Sequence, residues 1–308
     1  MRQTLAFDDV LLRPHLGVLE HRGDADISTW FGGYGYDVPF ISAPMPDVTD
    51  GLFAREMCSL GGTGIIHRFM KPEDQVREWE LSGGGGIYCA VGLDLDHVEL
   101  LREAGCWHYC LDVAHAHSRA VLEFLDQNIK WDEVWIVGNV ATAEGVRALE
   151  NIGASAIKVG IGPGSACTTR TVSGHGVPQL SAIMECARAA EVPILADGGI
   201  RNAGDIVKSL AAGAEAVVIG GLFARAIEAP NNGSYRGCAS FEMNGHHAPE
   251  GVTVTYTVAR ETLKDIVDSL AWGVCSGISY AGARDLADLR EFAEWQLLTP
   301  AGQQESFS

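Results

Sequence analysis

Eight short apolar runs recur along this chain, most of them about 20 to 26 residues apart, and this rhythm restricts the fold more than any other feature. They are Phe40–Ala43, Gly64–His67, Ile87–Val91, Tyr109–Val113, Val134–Val137, Ala156–Val159, Ile194–Ala196 and Ala216–Ile219. Runs of this length with polar or glycine borders read as strands covered on both faces. Amphipathic stretches alternate with them: Gly51–Leu60, Pro72–Leu81, Asp96–Ala104, Ser118–Asn128, Thr142–Asn151, Gln179–Ala190 and Asn202–Ala212. Capping residues such as Thr142 and Asn202 open these helices, and Gly105, Gly153 and Gly213 close them. Eight such strands, alternating with helices, predict an α/β fold, the parallel (β/α)8 TIM barrel, with an N-terminal cap segment and C-terminal helices.

With 308 residues and 47% apolar content, the chain accommodates one such domain over 1–308. Residues 1–30 form the expected cap, with short strands near Ala25–Thr29. Residues 229–257 form a short flap region of little regular pattern, and 299–308 a frayed tail. Helices are expected at Ala259–Trp272 and Ala283–Glu294, and the Gly83–Gly86 run reads as a turn. A net charge of -18 disfavours nucleic acid and anionic membranes as partners. No apolar run approaches the roughly 20 residues of a membrane span. Eight scattered cysteines without a signal peptide predict a reducing cytoplasm rather than a disulfide framework. Cys106 and Cys110 lack a second ligand pair, so zinc is not expected. His115, His117 and the pair His246–His247 read as loop or packing residues.

The interval between the sixth and seventh runs is the long one, and it contains Gly160-Ile161-Gly162-Pro163-Gly164-Ser165-Ala166-Cys167-Thr168-Thr169-Arg170. A free cysteine is usually a small buried hydrophobe. This one stands among glycines and hydroxyls beside an arginine, at the barrel mouth, where a thiolate nucleophile is the competing reading. Gly198-Gly199 follows the seventh strand and Gly220-Gly221 the eighth. Glycine pairs ahead of helix starts expose backbone N–H groups, and these two loops are the usual phosphate site of the fold, so a phosphate monoester is expected, with Ser165 as a further donor. The bland alternative is a pair of tight turns. Asp197 and Asp112, both at strand ends, suit ribose hydroxyls or structural roles equally well. Gly160, Gly162 and Gly164 do not make a dinucleotide fingerprint.

Taken in order, Phe7-Asp8-Asp9-Val10-Leu11-Leu12, Ser42-Ala43-Pro44-Met45, Gly61-Gly62-Thr63-Gly64-Ile65-Ile66-His67-Arg68, Gly138-Asn139-Val140-Ala141-Thr142, the Cys167 loop, Asp197-Gly198-Gly199, Gly220-Gly221 and Tyr235-Arg236-Gly237 resemble the inosine-5'-monophosphate dehydrogenase and guanosine-5'-monophosphate reductase family. The resemblance implies a homotetrameric barrel in which Cys167 attacks C2 of a purine nucleoside monophosphate, forming a covalent thioimidate, while a nicotinamide cofactor exchanges hydride with C2. It implies that Ser42, Met45, Ser165, Asp197, Gly198, Gly199, Gly220, Gly221, Tyr235, Gly237 and Ser240 serve the nucleotide. Asp112, Asn139, Gly160, Gly162 and Arg68 would serve the cofactor. The carbonyls of Gly160, Gly162 and Cys167 are those that hold a monovalent cation, K+, in relatives.

The resemblance also separates two chemistries. The dehydrogenases usually carry a regulatory insert after the second strand, and this chain has none there. They also carry a long flap with an arginine–tyrosine pair that activates water. Here about a dozen residues separate Gly237 from Pro249, and Cys238–Ala248 contains neither residue type. Thr169 and Glu250 match the pair that handles ammonia in the reductases, so reduction of GMP to IMP with NADPH is the expectation, with Cys167, Thr169 and Glu250 catalytic. The dehydrogenase reaction with NAD, or an idle nucleotide-binding relative, is the alternative. Cys238-Ala239-Ser240 and Pro46 depart from the family's usual residues and leave the base specificity open.

Overall fold

A computed structural model describes residues 3–231, 234–237, 251–255 and 261–305. Strand β1 (Val10–Leu12) pairs antiparallel with Trp295–Leu297, and β2 (Thr29–Phe31) with β3 (Tyr34–Tyr36). The chain then enters the expected repeat. Strands β4 (Phe40–Ser42), β5 (Thr63–Ile66), β6 (Tyr88–Val91), β7 (His108–Asp112), β8 (Val134–Val140), β9 (Ala156–Val159), β10 (Ile194–Asp197) and β11 (Ala216–Ile219) are parallel, pair in sequence order and close into a barrel. All eight expected strands are present.

Helices α1 (Gly51–Ser59), α2 (Pro72–Ser82), α3 (Leu95–Glu103), α4 (Arg119–Asn128), α5 (Ala143–Glu150), α6 (Thr169–Val172), α7 (Gln179–Ala189) and α8 (Ala203–Ala211) return the chain between strands, α6 being a short insertion in the cysteine loop. Their starts follow the capping chemistry read from sequence. Thr142 Oγ1 accepts from the Gly145 amide at 3.2 Å, and Asn202 Oδ1 from the Asp205 amide at 3.0 Å. The strands obey the period of two. Tyr88 and Ala90 belong to one apolar core, Cys89 and Val91 to another, and all four are fully buried.

Several expectations change. Residues 300–305 form a helix, Pro300–Glu305, rather than a frayed tail; the Gln303 side chain donates to Asp9 Oδ1 at 3.2 Å and gives the segment something to pack on. The flap region is not patternless, because β12 (Ser234–Arg236) pairs antiparallel with β13 (Thr253–Thr255). The helix expected over 259–272 runs Leu263–Tyr280, and its capping box on Thr262 and Asp265 sets the later start. The next runs Leu286–Phe292, shorter than expected, capped by Asp285. Among the described residues no helix is long and apolar enough to cross a membrane.

Candidate active site

The cysteine loop leaves the end of β9 and is held from two sides. Within it, the Cys167 amide donates to the Gly164 carbonyl at 3.0 Å, and the Cys167 thiol to Thr169 Oγ1 at 3.2 Å. Cys167 is partly exposed, whereas Cys89, Cys106, Cys110, Cys186 and Cys275 are buried. From outside, Cys167 forms an antiparallel bridge with Gly251. The Val252 amide donates to the Ala166 carbonyl at 2.9 Å, and the Gly237 amide to the Val252 carbonyl at 3.1 Å. The β12–β13 hairpin therefore lies directly against the residues that present the sulfur.

The hairpin is itself anchored. Arg236 donates to Asp47 from its amide at 2.9 Å and its Nε at 2.8 Å, both to Oδ2, while its Nη2 reaches Oδ1. Asp47 is nearly fully buried just beyond β4, so this bidentate pair fixes the hairpin to the first βα loop. Glu250 and Ser240, together with Cys238, Ala239, Pro249, His246 and His247, lie outside the described residues.

Against the cysteine loop is a cavity of about 530 Å³, lined by Gly164 and Ser165 of that loop, Gly198 and Gly199 after β10, and Gly220 and Gly221 after β11. These are the loops the sequence assigned to a phosphate. A Cβ at Gly220 would fall 2.6 Å from the Tyr235 hydroxyl and 3.1 Å from Met45 Sδ, so this glycine, Tyr235 and Met45 share one wall. Arg170, Arg201 and Arg225 also line the cavity, a local concentration of cations in an acidic protein. Arg201 is shared with Asp8 and Asp205. Ser42, opposite Ile219 in the barrel register, does not line the cavity. It is fully buried against Gly64, and no described residue bonds its hydroxyl.

Inside the mouth is a charge cluster that sequence reasoning missed. Lys158, 1% exposed, donates to Asp112 Oδ1 at 2.7 Å and to Asp197 Oδ2 at 2.6 Å. Asn139 Nδ2 donates to the same Asp197 oxygen at 2.9 Å and to the Gly160 carbonyl at 2.8 Å. Burial alone would push the Lys158 ammonium down, but the two carboxylates outweigh it and hold its pKa well above the usual lysine value. The structural role of Asp197 is thus this ion pair and not the capping of α8, which Asn202 does, and only one of its carboxylate oxygens is left to a ligand. Arg68 Nε donates to the Asp112 carbonyl at 3.3 Å, which brings Arg68, Asp112 and Asn139 to one side of the mouth. Gln179, also unanticipated, spans the Val159 and Asp197 carbonyls at 2.8 and 3.1 Å. The sequence did carry one signal: a lysine inside the otherwise apolar strand Ala156-Ile157-Lys158-Val159.

A nicotinamide group fits this side. Asn139 Oδ1 is buried with no hydrogen-bond partner among the described residues, an acceptor suited to a carboxamide N–H. His115 and His117 have rings 6.3 Å apart, and among the described residues no three His, Cys, Asp or Glu side chains are grouped to hold a metal ion.

Comparison with known proteins agrees with the geometry. The family description "IMP dehydrogenase / GMP reductase domain" matches residues 4–308. The inosine-5'-monophosphate dehydrogenase of Aquifex aeolicus (strain VF5) is 46% identical over 242 residues, which cover 69% of this chain and 49% of that protein. The GMP reductase of Streptococcus agalactiae serotype V (strain ATCC BAA-611 / 2603 V/R) is 37% identical over 303 residues, covering 92% of each chain. That of Streptococcus equi subsp. equi (strain 4047) is 37% identical over 306 residues, again with 92% of each covered. A barrel of eight parallel strands, a cysteine loop at its mouth and a match over nearly the whole chain lead to one conclusion: the protein belongs to the IMP dehydrogenase / GMP reductase family of NAD(P)-dependent oxidoreductases.

Proposed function

We propose that this protein is a GMP reductase, a single (β/α)8 domain without a regulatory insert that converts GMP to IMP and ammonia at the expense of NADPH. The observation that carries the reading is the Cys167–Thr169 pair, 3.2 Å apart, in the loop whose Gly164 and Ser165 also line the glycine-walled cavity. A nucleotide with its phosphate on Gly198, Gly199, Gly220 and Gly221 would have its base toward that sulfur.

The Cys167 thiolate adds to C2 of the guanine. A proton passes from Glu250, which directly precedes Gly251 in the chain, by way of Thr169 to the 2-amino nitrogen. The C2–N bond then breaks and ammonia leaves, giving the thioimidate. A reduced nicotinamide cofactor, when bound beside Asp112, Asn139 and Arg68, supplies the hydride for C2. Cys167 departs as the C2–S bond breaks, leaving IMP, and Asp197 and Tyr235 hold the ribose and phosphate throughout. The backbone carbonyls of Gly160, Gly162 and Cys167 would hold K+, that of Gly160 keeping a second lone pair beside its hydrogen bond from Asn139.

Support for reduction over oxidation comes from residues 238–248, which contain neither arginine nor tyrosine to activate a water. The dehydrogenase is the second reading, favoured by the 46% identity to the Aquifex protein. Exposed apolar side chains at Leu16, Trp272 and Tyr280 support self-association as a homotetramer, and scattered unpaired cysteines support a cytoplasmic location. The deciding experiment follows reduced-cofactor absorbance with GMP plus NADPH and with IMP plus NAD. Consumption with GMP is the expected result; production with IMP overturns it in favour of the dehydrogenase, and silence in both removes the enzyme.

A further inference from the structure

A fully buried lysine is costly unless it is paired, and a strand position that served packing alone would be filled more cheaply by the apolar kind of residue found at Ile157 and Val159. The surroundings of Lys158 are arranged to keep it. In the barrel register Asp112 on β7 lies beside Gly138 on β8, and Gly138 beside Lys158 on β9. A Cβ at Gly138 would fall 2.3 Å from Lys158 Cβ, so the residue between the two charges has to be the one without a side chain. On the other flank Lys158 pairs with Leu195 of β10, and Asp197, two residues further along, lies on the same face. One ammonium thereby joins carboxylates from β7 and β10 across two intervening strands.

We infer that Lys158 is a positioning residue that ties the nucleotide side of the site to the cofactor side, so that the affinity of each ligand depends on the carboxylate serving the other. This rests on the reading above, in which Asp197 faces the nucleotide and Asp112 the cofactor. Each carboxylate gives one oxygen to the shared ammonium, and no described residue bonds Asp112 Oδ2 or Asp197 Oδ1. The strength of either as an acceptor is then set by how the ammonium is divided between them. Neutralising Asp112 leaves the positive charge to Asp197 alone and makes that carboxylate a weaker acceptor for a ribose hydroxyl. Coupling of this kind is reciprocal for the two ligands.

The test is a double-mutant cycle read by calorimetric titration of GMP into the full-length protein, with no cofactor present. Asp112→Asn, a change confined to the cofactor side, is expected to weaken GMP binding about threefold or more. In a Lys158→Met background the same change is expected to have less than about a twofold effect, because the link is gone. A purely structural lysine would lower the melting temperature and leave the effect of Asp112→Asn the same in both backgrounds. That outcome, or unchanged GMP affinity in Asp112→Asn alone, overturns the inference while the nucleotide site stands. Failure of the unmodified protein to bind GMP or IMP overturns both. If Lys158→Met does not fold, Lys158→Gln takes its place, and the single Asp112→Asn measurement already decides the first arm.

Discussion

The backbones of Cys167 and Gly251 are bridged antiparallel, so the cysteine loop and the flap hairpin meet at the sulfur-bearing residue itself. Gly237 makes the contact tight, since a Cβ there would lie 2.5 Å from the Ala166 carbonyl oxygen and 3.0 Å from Gly251 Cα. Gly237→Ala should therefore displace the sulfur at a stability cost of about 1–3 kcal/mol. Turnover should fall by about tenfold or more while the protein still melts cooperatively, because small misplacements of a nucleophile are expensive. Steady-state kinetics beside a thermal melt measure this. Wild-type turnover would mean the hairpin does not position the thiol.

Cys167→Ala removes the proposed nucleophile and leaves the residues that line the glycine-walled cavity in place. GMP should bind within about a factor of ten of wild type while turnover disappears, since covalent catalysis has no substitute here. Mass spectrometry of acid-quenched wild-type enzyme with substrate should find a purine adduct on the peptide containing Cys167. Residual turnover near wild type would exclude the covalent route.

Gly220→Ala adds a methyl group between Tyr235 and Met45, which a Cβ would approach to 2.6 and 3.1 Å. Either the wall retreats or the ligand does. KM for GMP should rise by about tenfold or more, with a smaller change in kcat, the pattern of lost uniform binding. Inorganic phosphate as a competitive inhibitor should weaken in parallel; an unchanged KM places the phosphate elsewhere.

Acid should destabilise the fold well above the carboxylate range. Burial pushes the His67 imidazole down to about 4, with Asp47 opposing, and burial also lowers His97 and His108. Folded pKa values lie below the unfolded value of about 6.5, so above that pH nothing is lost. As pH falls through it, the unfolded chain gains protons that the folded one refuses, and stability declines down to about pH 4. His67 alone corresponds to about 3 kcal/mol over that window. Urea unfolding at pH 7.5 and pH 5 should show the loss, and His67→Gln should shrink it. Equal stability at the two values would contradict it.

The barrel was legible because its signals are local and repeated. Alternating strand and helix patterns, Thr142 and Asn202 at helix starts and glycines at helix ends all point the same way. That the two glycine pairs and the cysteine loop meet at one end of the barrel was legible too, because each follows a recognisable strand. Asp47–Arg236, Asp112–Lys158–Asp197 and the pairing of β1 with Trp295–Leu297 were not, because each joins residues far apart in sequence. Periodicity says which face a residue occupies but not whose charge meets it across a closed barrel. Hairpin β12–β13 was missed because each strand has three residues, too few for alternation to register.

Both ends of the stretch from 238 to 250 are moored, one through Gly237 and Arg236, the other through Gly251 and Val252. The address of the thiol is thereby written in four residues outside that stretch, Arg236, Gly237, Gly251 and Val252.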